Sequence, residues 1–309
     1  MTDASTTDDS ALEVFHYTTA AGLQGILTEQ RLRATNMRYL NDSEERTGFF
    51  ERRLTHLMSR AHDNLLGGGG TSLVGEKDDV LERTIEFLRA ELLTHEAYSL
   101  SLSYPPDEYP NDGLLSQWRG YGTDGGYAIV MDIRPLLVGL QEEFKLYGYS
   151  SLGTARAQYF PADGLGEAQH DEVLEAERYV MEALPAVMLG KPMDWMLSHY
   201  LNTLSTSYKH CGFREENEIR IVAAIDSTKK VGRLSKPVKF YSRSGQIVPF
   251  IELFGFKRES DGKSHLPIKR IIVGPHPDKE ARAHAVRMFV DSLELDVKVT
   301  CSGIPYVGR

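Results

Sequence analysis

The grouping of the predicted strands restricts the fold of this chain more than any other feature. Short apolar runs typical of strands follow one another along much of the chain, and helical periodicity is concentrated in blocks between them. A regular alternation of strands and helices would instead indicate a doubly wound parallel sheet, and no glycine fingerprint for a dinucleotide follows any of these strands. The sequence therefore predicts a mixed α+β fold.

The same periodicity assigns individual elements. Strands are predicted at residues 12–17, 32–35, 97–103, 127–132, 218–225, 238–241, 247–253, 269–273 and 296–300. Helices are predicted at residues 20–30, from 41 through 53 and beyond, and at 79–95, 173–184, 195–208 and 278–293. In the helix at 195–208, Trp195, Met196, Tyr200 and Leu204 form a stripe that we expect to pack. The glycine-flanked tryptophan segment at 117–122 is predicted to be a loop.

Composition and charge exclude several classes of protein. Residues 1–10 are polar and acidic, which predicts a flexible tail and no secretion signal. Residues 11–309 are predicted to form one domain with a helical insert at about 166–210. No apolar run approaches the roughly 20 residues of a membrane span, so we expect a cytoplasmic protein without a membrane partner. The net charge of −9 disfavours a protein that coats nucleic acid. Cys211 and Cys301 lack the spacing of a zinc site, and no metal is predicted.

An acidic strand is the strongest chemical signal. Read as a strand, the segment places Glu216, Glu218 and Arg220 on one face and Ile219 and Ile221 on the other. Two carboxylates and a guanidinium then line one surface. An ordinary solvent-facing strand would carry the same residues.

Cleavage of an N-glycosidic bond would use the features found so far: an acidic strand, an aromatic segment and an N-terminal histidine. The transition state of that reaction develops positive charge on a ribose ring, which a fixed carboxylate stabilises. Aromatic faces stack on flat heterocycles, and a histidine or threonine hydrogen-bonds sugar hydroxyls. These parts fit NAD as a consumed substrate.

Several motifs occur in a fixed order. They are His16-Tyr17-Thr18, the Gly22 to Leu27 helix segment, Tyr39-Leu40-Asn41-Asp42, Gln117-Trp118-Arg119-Gly120-Tyr121 and Glu216-x-Glu218-x-Arg220. This order resembles an uncharacterised bacterial family with a domain of unknown function. That family is similar in turn to the ADP-ribosyltransferase superfamily, whose core is a split, mixed or antiparallel β-sheet with NAD bound in the cleft.

The resemblance implies roles for the motif residues. Glu218 stands where the catalytic late-strand glutamate stands, and Glu216 would be its partner acid. His16 would contact an NAD ribose, with Thr18 beside it. Arg119 would clamp a pyrophosphate or form a salt bridge to an acidic neighbour.

The aromatic and amide residues carry alternative interpretations. Tyr17, Tyr39 and Tyr121 are all candidates to stack on nicotinamide. Trp118 and Tyr121 equally suit a core position, because large aromatics dominate packing. Asn41 and Asp42 are explained by helix capping as well as by ligand contact. His16 beside an apolar neighbour also suits a core histidine.

The sequence therefore predicts an NAD-consuming ADP-ribosyltransferase or NAD glycohydrolase. Relatives of the superfamily suggest a toxin or an antiphage effector that acts on a nucleic acid or protein acceptor. The helical insert would have one of three roles: it would gate the cleft, recognise the acceptor, or bind an antitoxin or regulatory partner. A non-catalytic nucleotide-binding sensor or interaction module is the first alternative. A metal-dependent nuclease built on Glu216 and Glu218 is the second.

Overall fold

The computed structural model describes residues 13–40, 48–65, 74–94, 96–105, 111–121, 125–225, 234–255 and 265–305. The predicted tail at 1–10 and the predicted site residues Asn41 and Asp42 lie outside these ranges. The chain divides into two compact units. The first comprises residues 1–32, 102–143 and 253–309, and the second comprises residues 33–101 and 144–252.

Strands are numbered in chain order over the described residues. They are β1 (Glu13–Thr18), β2 (Leu32–Asn36), β3 (Ala97–Ser103), β4 (Tyr127–Asp132), β5 (Tyr149–Arg156), β6 (Gln158–Phe160), β7 (Tyr208–His210), β8 (Glu218–Ile225), β9 (Lys239–Arg243), β10 (Gln246–Leu253), β11 (Ile268–Val273) and β12 (Lys298–Cys301). Parallel and antiparallel pairs are both present, together with helices, so the α+β prediction is confirmed at this level.

The α-helices are numbered in the same way. They are α1 (Ala20–Glu29), α2 (Thr55–Leu65), α3 (Val74–Thr94), α4 (Leu115–Tyr121), α5 (Ile133–Leu146), α6 (Asp171–Met188), α7 (Trp195–Ser207) and α8 (Lys279–Ser292). A π-helical stretch at Phe49–Leu54 leads directly into α2, and short 3-10 helices lie at Met37–Tyr39 and Cys211–Glu216. In the described part of the chain, no helix combines the length and the apolar character that a bilayer span requires.

In the first unit, four strands run in the order β12–β11–β4–β1. The strand β4 occupies an inner position because Tyr127 to Met131 are apolar and buried on both of its faces. It pairs antiparallel with β1, where Phe15 faces Val130, and antiparallel with β11 on its other side. The strands β11 and β12 are parallel, so the chain returns through α8 between them.

In the second unit, the longest pairing joins β5 and β8. These strands are antiparallel from Arg156 opposite Ile219 to Tyr149 opposite Ile225. The strand β8 also pairs with β3, β3 pairs with β2, and β10 pairs with β2 and β9. A separate parallel pair, β6–β7, sets Tyr159 beside Lys209. This short pair leads the chain towards the start of β8.

The helices of the second unit pack around their own apolar core. The core draws on the π-helical stretch and on α2, α3, α6 and α7. Arg53 is buried within it and forms two hydrogen bonds to Glu177, at 2.7 and 2.6 Å. The predicted helical block at 166–210 therefore does contain two helices, α6 and α7, which pack on the π-helical segment and its neighbours.

Two predictions about this chain were wrong in detail. The tryptophan segment is the helix α4, not a loop, because the burial of Trp118 offsets the low helix propensity of Gly120. The buried face of α7 consists of Leu197, Leu201 and Leu204, and the predicted stripe was misplaced because Trp195 is 76% exposed.

Candidate functional site

The chain reverses sharply just before β8. The 3-10 helix Cys211–Glu216 ends at Asn217, whose φ of 43° lies in the left-handed region. The strand β8 begins only at Glu218, so the prediction that Glu216 belongs to this strand was wrong. This turn brings the carboxylates of Glu216 and Glu218 to the same ammonium group, that of Lys209.

Four side chains form what we call the carboxylate cluster: Lys209, Glu216, Glu218 and Arg220. Lys209 Nζ donates to Glu216 Oε2 and to Glu218 Oε2, each at 2.6 Å. Arg220 donates from Nε to Glu218 Oε1 at 3.0 Å and from Nη2 to Oε2 at 2.9 Å. Its Nη1 donates to the carbonyl of Thr206 at 2.9 Å, which anchors the guanidinium to the end of α7.

Two neighbouring cations decide the charge state of the buried Glu218. Glu218, Arg220 and Lys209 are 5%, 2% and 6% exposed, which rules out a solvent-facing strand for this segment. Burial by itself raises the pKa of Glu218, but the charges of Arg220 and Lys209 outweigh it and lower this pKa to about 2. Glu218 is therefore an ionised carboxylate at neutral pH.

The two acids of the cluster differ in accessibility. The side chain of Glu216 is 25% exposed, whereas that of Glu218 is 4% exposed. A carboxylate has about four lone-pair directions, and Arg220 and Lys209 use three of those of Glu218. A ligand therefore meets Glu216 first, because Lys209 is nearly as buried as Glu218.

Tyr159 and Phe213 complete the surroundings of the cluster. The backbone N–H of Glu218 donates to the Tyr159 hydroxyl at 2.9 Å, and burial raises the pKa of that phenol. Lys209 Nζ lies 5.2 Å from the centroid of the Phe213 ring. Sequence reasoning missed Tyr159, Lys209 and Phe213, although a buried acidic pair always requires cationic partners nearby in the fold.

In the first unit, Tyr17 and Trp118 come together as a packing pair. Their rings make an edge-to-face contact with centroids 4.9 Å apart, and Trp118 is 1% exposed. The Tyr17 hydroxyl accepts a hydrogen bond from Leu114 N at 2.7 Å, and burial raises its pKa. Gly113, at φ 77°, lies so close that a Cβ there would be 2.8 Å from the indole. Both rings therefore serve the core in this structure, and a ligand contact stays a prediction.

His16 and Thr18 lie on the opposite face of β1 from Tyr17. Successive strand residues point to opposite faces, and burial alternates in that way from Phe15 to Thr18. His16 is half-buried and pairs in register with Ile129, and Thr18 pairs with Tyr127. The predicted His16-Tyr17-Thr18 group is thus divided between two faces of the sheet.

The remaining predicted residues have separate surroundings. Arg119 is exposed on α4, and the side chain of Tyr121, at the end of that helix, lies outside the described part. Tyr39 ends a 3-10 helix of the second unit, and its carbonyl accepts a hydrogen bond from Arg243. Of the predicted residues, the structure brings together Glu216 with Glu218 and Tyr17 with Trp118.

The donor geometry does not favour the nuclease alternative. Across the described residues, no group of three or more histidine, cysteine, aspartate or glutamate side chains could hold a metal ion. Glu216 and Glu218 instead share an ammonium group at 2.6 Å.

No family model, no curated protein and no solved structure matches this chain. The resemblance drawn from the order of the motifs stays a prediction, as do the fold family and the substrate. The chemistry of the site is therefore argued from the carboxylate cluster.

Proposed function

We propose that this protein cleaves the nicotinamide–ribose bond of NAD and that Glu218 is its catalytic carboxylate. One observation carries the proposal: a buried, ionised glutamate stands at the start of β8 with a second, more accessible glutamate two positions earlier. An ionised carboxylate is the form that stabilises a ribosyl cation, and a buried one acts more strongly because water does not screen it.

The proposed reaction breaks the glycosidic C–N bond, and its electron pair leaves with nicotinamide. The positive charge that develops on the ribose ring is stabilised by Glu218, which also orients a ribose hydroxyl. Glu216, at the exposed edge of the cluster, faces the acceptor and takes its proton as the new bond to the ribose carbon forms. The acceptor is water in a glycohydrolase, or a nucleic acid or protein in a transferase.

Lys209 and Arg220 have different roles in this proposal. Arg220 holds Glu218 by two hydrogen bonds and keeps it ionised. Lys209 bridges both acids, so its charge would oppose a cation on the substrate. Substrate binding is therefore expected to displace Lys209 from Glu218, which leaves this carboxylate paired with Arg220 alone.

A matched pair of variants tests this role. Glu218→Gln should retain NAD binding and lose nicotinamide release by roughly 10²–10³-fold, because the neutral amide cannot stabilise the cation. Glu252→Gln is the control, since Glu252 is also a buried strand glutamate and pairs with Lys239 at 2.7 Å. Release is measured with NAD labelled in the nicotinamide ring.

The control variant should release nicotinamide at the wild-type rate. Equal rates in wild type and Glu218→Gln would exclude Glu218 as the catalytic carboxylate. A second label on the adenine then distinguishes the products, because free ADP-ribose indicates hydrolysis and labelled protein or nucleic acid indicates transfer.

A non-catalytic nucleotide-binding module is the second candidate. The charge balance of the cluster favours it, because two cations already neutralise the two carboxylates. That candidate predicts a higher melting temperature with NAD or ADP-ribose and no nicotinamide release from wild-type protein.

A further inference from the structure

A cavity of about 450 Å³ in the second unit lies away from the carboxylate cluster. Its walls come from α7, the start of β5 and the last turns of α3. Ser151, in its wall, pairs with Ala224 on β8. Because Ala224 follows Glu218 by six positions on an extended strand, the two places are about 20 Å apart.

Trp195 supplies an open aromatic surface to this cavity. Its side chain is 76% exposed, whereas the chain's other tryptophan, Trp118, is 1% exposed. Tryptophan is on average well buried, so an indole that is open beside a cavity has a ring face available to a ligand.

One face of α7 turns towards the cavity. Trp195, Ser198, His199 and Asn202 all line it, and their spacing of three and four residues places them on a single stripe of the helix. This stripe is the face opposite to packing residues such as Leu204. The helix therefore has one face for the core and one face, aromatic and polar, for the cavity.

Several polar side chains in the wall have hydrogen-bond donors and acceptors that are available to a ligand. In the part of the chain that the structure describes, the side chains of Ser151, Ser198 and Asn202 form no hydrogen bond to protein. Together they offer two hydroxyls and an amide, which both donate and accept. Such a set matches the hydroxyl groups of a ligand.

The two carboxylates of the wall disfavour an anionic ligand. Glu91 and Asp194 line the cavity, and none of the described lining residues is a lysine or an arginine. Both carboxylate oxygens of Asp194 are engaged, one by Leu197 N at 2.7 Å and one by the Tyr179 hydroxyl at 3.3 Å. A phosphate would be repelled here, and a single open indole is not the aromatic cage that binds organic cations.

From these observations we propose that the cavity binds a neutral saccharide. The apolar face of a sugar ring lies on the indole of Trp195, and its hydroxyls hydrogen-bond with Asn202, Ser198 and Ser151. A volume of about 450 Å³ suits one or two sugar rings, at the small end of ligand pockets. The helical block that contains α7 thus carries a ligand site of its own.

The test titrates the full chain with D-glucose, D-galactose, N-acetyl-D-glucosamine and maltose. Binding is followed by tryptophan fluorescence, to which the exposed Trp195 is sensitive, and by saturation-transfer NMR on the sugar. At least one of these sugars should bind. Trp195→Ala should abolish that binding, and Asn202→Ala should weaken it by about tenfold, the loss of one or two hydrogen bonds.

Leu189→Ala is the matched control. Leu189 is 74% exposed and lies close to Trp195 in the chain, but it does not line the cavity. This variant should bind the sugar as tightly as wild type, and Trp195→Phe should restore part of the affinity because it keeps an aromatic face. Circular dichroism checks that each variant is folded.

Three results would overturn the proposal. The first is that none of the four sugars binds at tens of millimolar. The second is that Trp195→Ala binds the sugar as tightly as wild type. The third is that spermidine or arginine binds while no sugar does. The outcome is independent of the proposed enzyme activity, because Glu218→Gln leaves every wall of this cavity intact.

Discussion

At the scale of single residues, the carboxylate cluster shows how burial and charge act against each other. Burial raises the pKa of Glu218, and the charges of Arg220 and Lys209 reverse that effect. A buried ion pair of this kind contributes little to net stability compared with an apolar replacement, but loss of one partner is costly. The protein therefore retains a charged group where packing alone would favour none, which is typical of functional sites.

The cluster makes stability depend on acid pH. The pKa of Glu218 falls from an ordinary value of 4.5 to about 2 in the folded state. Its interactions therefore stabilise the fold above pH 4.5 and are lost as the pH falls towards 2, a contribution on the order of 3 kcal/mol. The difference in unfolding free energy between wild type and Glu218→Gln should be largest at neutral pH and should shrink below pH 4.

Urea unfolding of both proteins at neutral and acid pH measures this difference. Glu216→Gln is the control, because it removes the more exposed acid of the same cluster and leaves Glu218 with Arg220. This control should keep the pH dependence of wild type. A difference between wild type and Glu218→Gln that stays constant from neutral pH to pH 2 would contradict the assignment of the lowered pKa.

At the scale of elements, sequence periodicity located most strands and the long helices. The predicted strands at 127–132 and 218–225 coincide with β4 and β8, because both are apolar runs bounded by turn residues. The sequence did not indicate α5 and β5, which follow one another with only Tyr147 and Gly148 between them. Pro135 and Gly139 interrupt the helical pattern of α5, and the sequence of β5 is mostly polar or small, so neither segment shows a clear period.

The site was predicted in part for the same reason. Alternation placed Glu218 and Arg220 together, since both belong to one strand. The contribution of Lys209 depends on β6 and β7, three-residue strands that carry no periodic signal. The sequence was equally compatible with Trp118 in a core and with Trp118 in contact with a ligand. Only the geometry of its contacts distinguishes these two interpretations.

A buried ion pair holds the π-helical stretch to α6. Arg53 donates two hydrogen bonds to Glu177 and two more to the carbonyls of Gly164 and Gly166, at 3.1 and 2.7 Å. Arg53→Met should lower the unfolding free energy by about 3–5 kcal/mol, because Glu177 stays buried without its partner. Burial already raises the pKa of Glu177, so this acid would then bind a proton.

Chemical denaturation measures the loss, with Lys269→Met as the control. Lys269 pairs with Glu13 at 3.0 Å, but its side chain is 39% exposed and Glu13 keeps Arg270 as a second partner, so its loss should cost less than about 1 kcal/mol. The double variant Arg53→Met with Glu177→Leu should recover much of the stability. Similar losses for Arg53→Met and Lys269→Met would show that burial does not strengthen the Arg53 pair.

At the scale of the whole molecule, each unit has an apolar core of its own. In the first unit, Phe15, Tyr17 and Trp118 pack on the strand pair β1–β4. In the second, the core is helical and lies among α2, α3, α6 and α7. Both sites proposed for the second unit border β8 or its neighbour β5, near opposite ends of the same strand pair.

This separation predicts that the two proposed ligands bind independently. Each ligand at ten times its Kd should raise the unfolding free energy by about 1.4 kcal/mol. The two increments should add within about 0.5 kcal/mol, because sites about 20 Å apart share no side chain. Glu218→Gln protein is used so that NAD is bound without being consumed. The measurement is urea unfolding with NAD, with the bound sugar, and with both, and Trp195→Ala should lose only the sugar increment. Increments whose sum departs from the combined value by more than 1 kcal/mol would show that β8 couples the two sites.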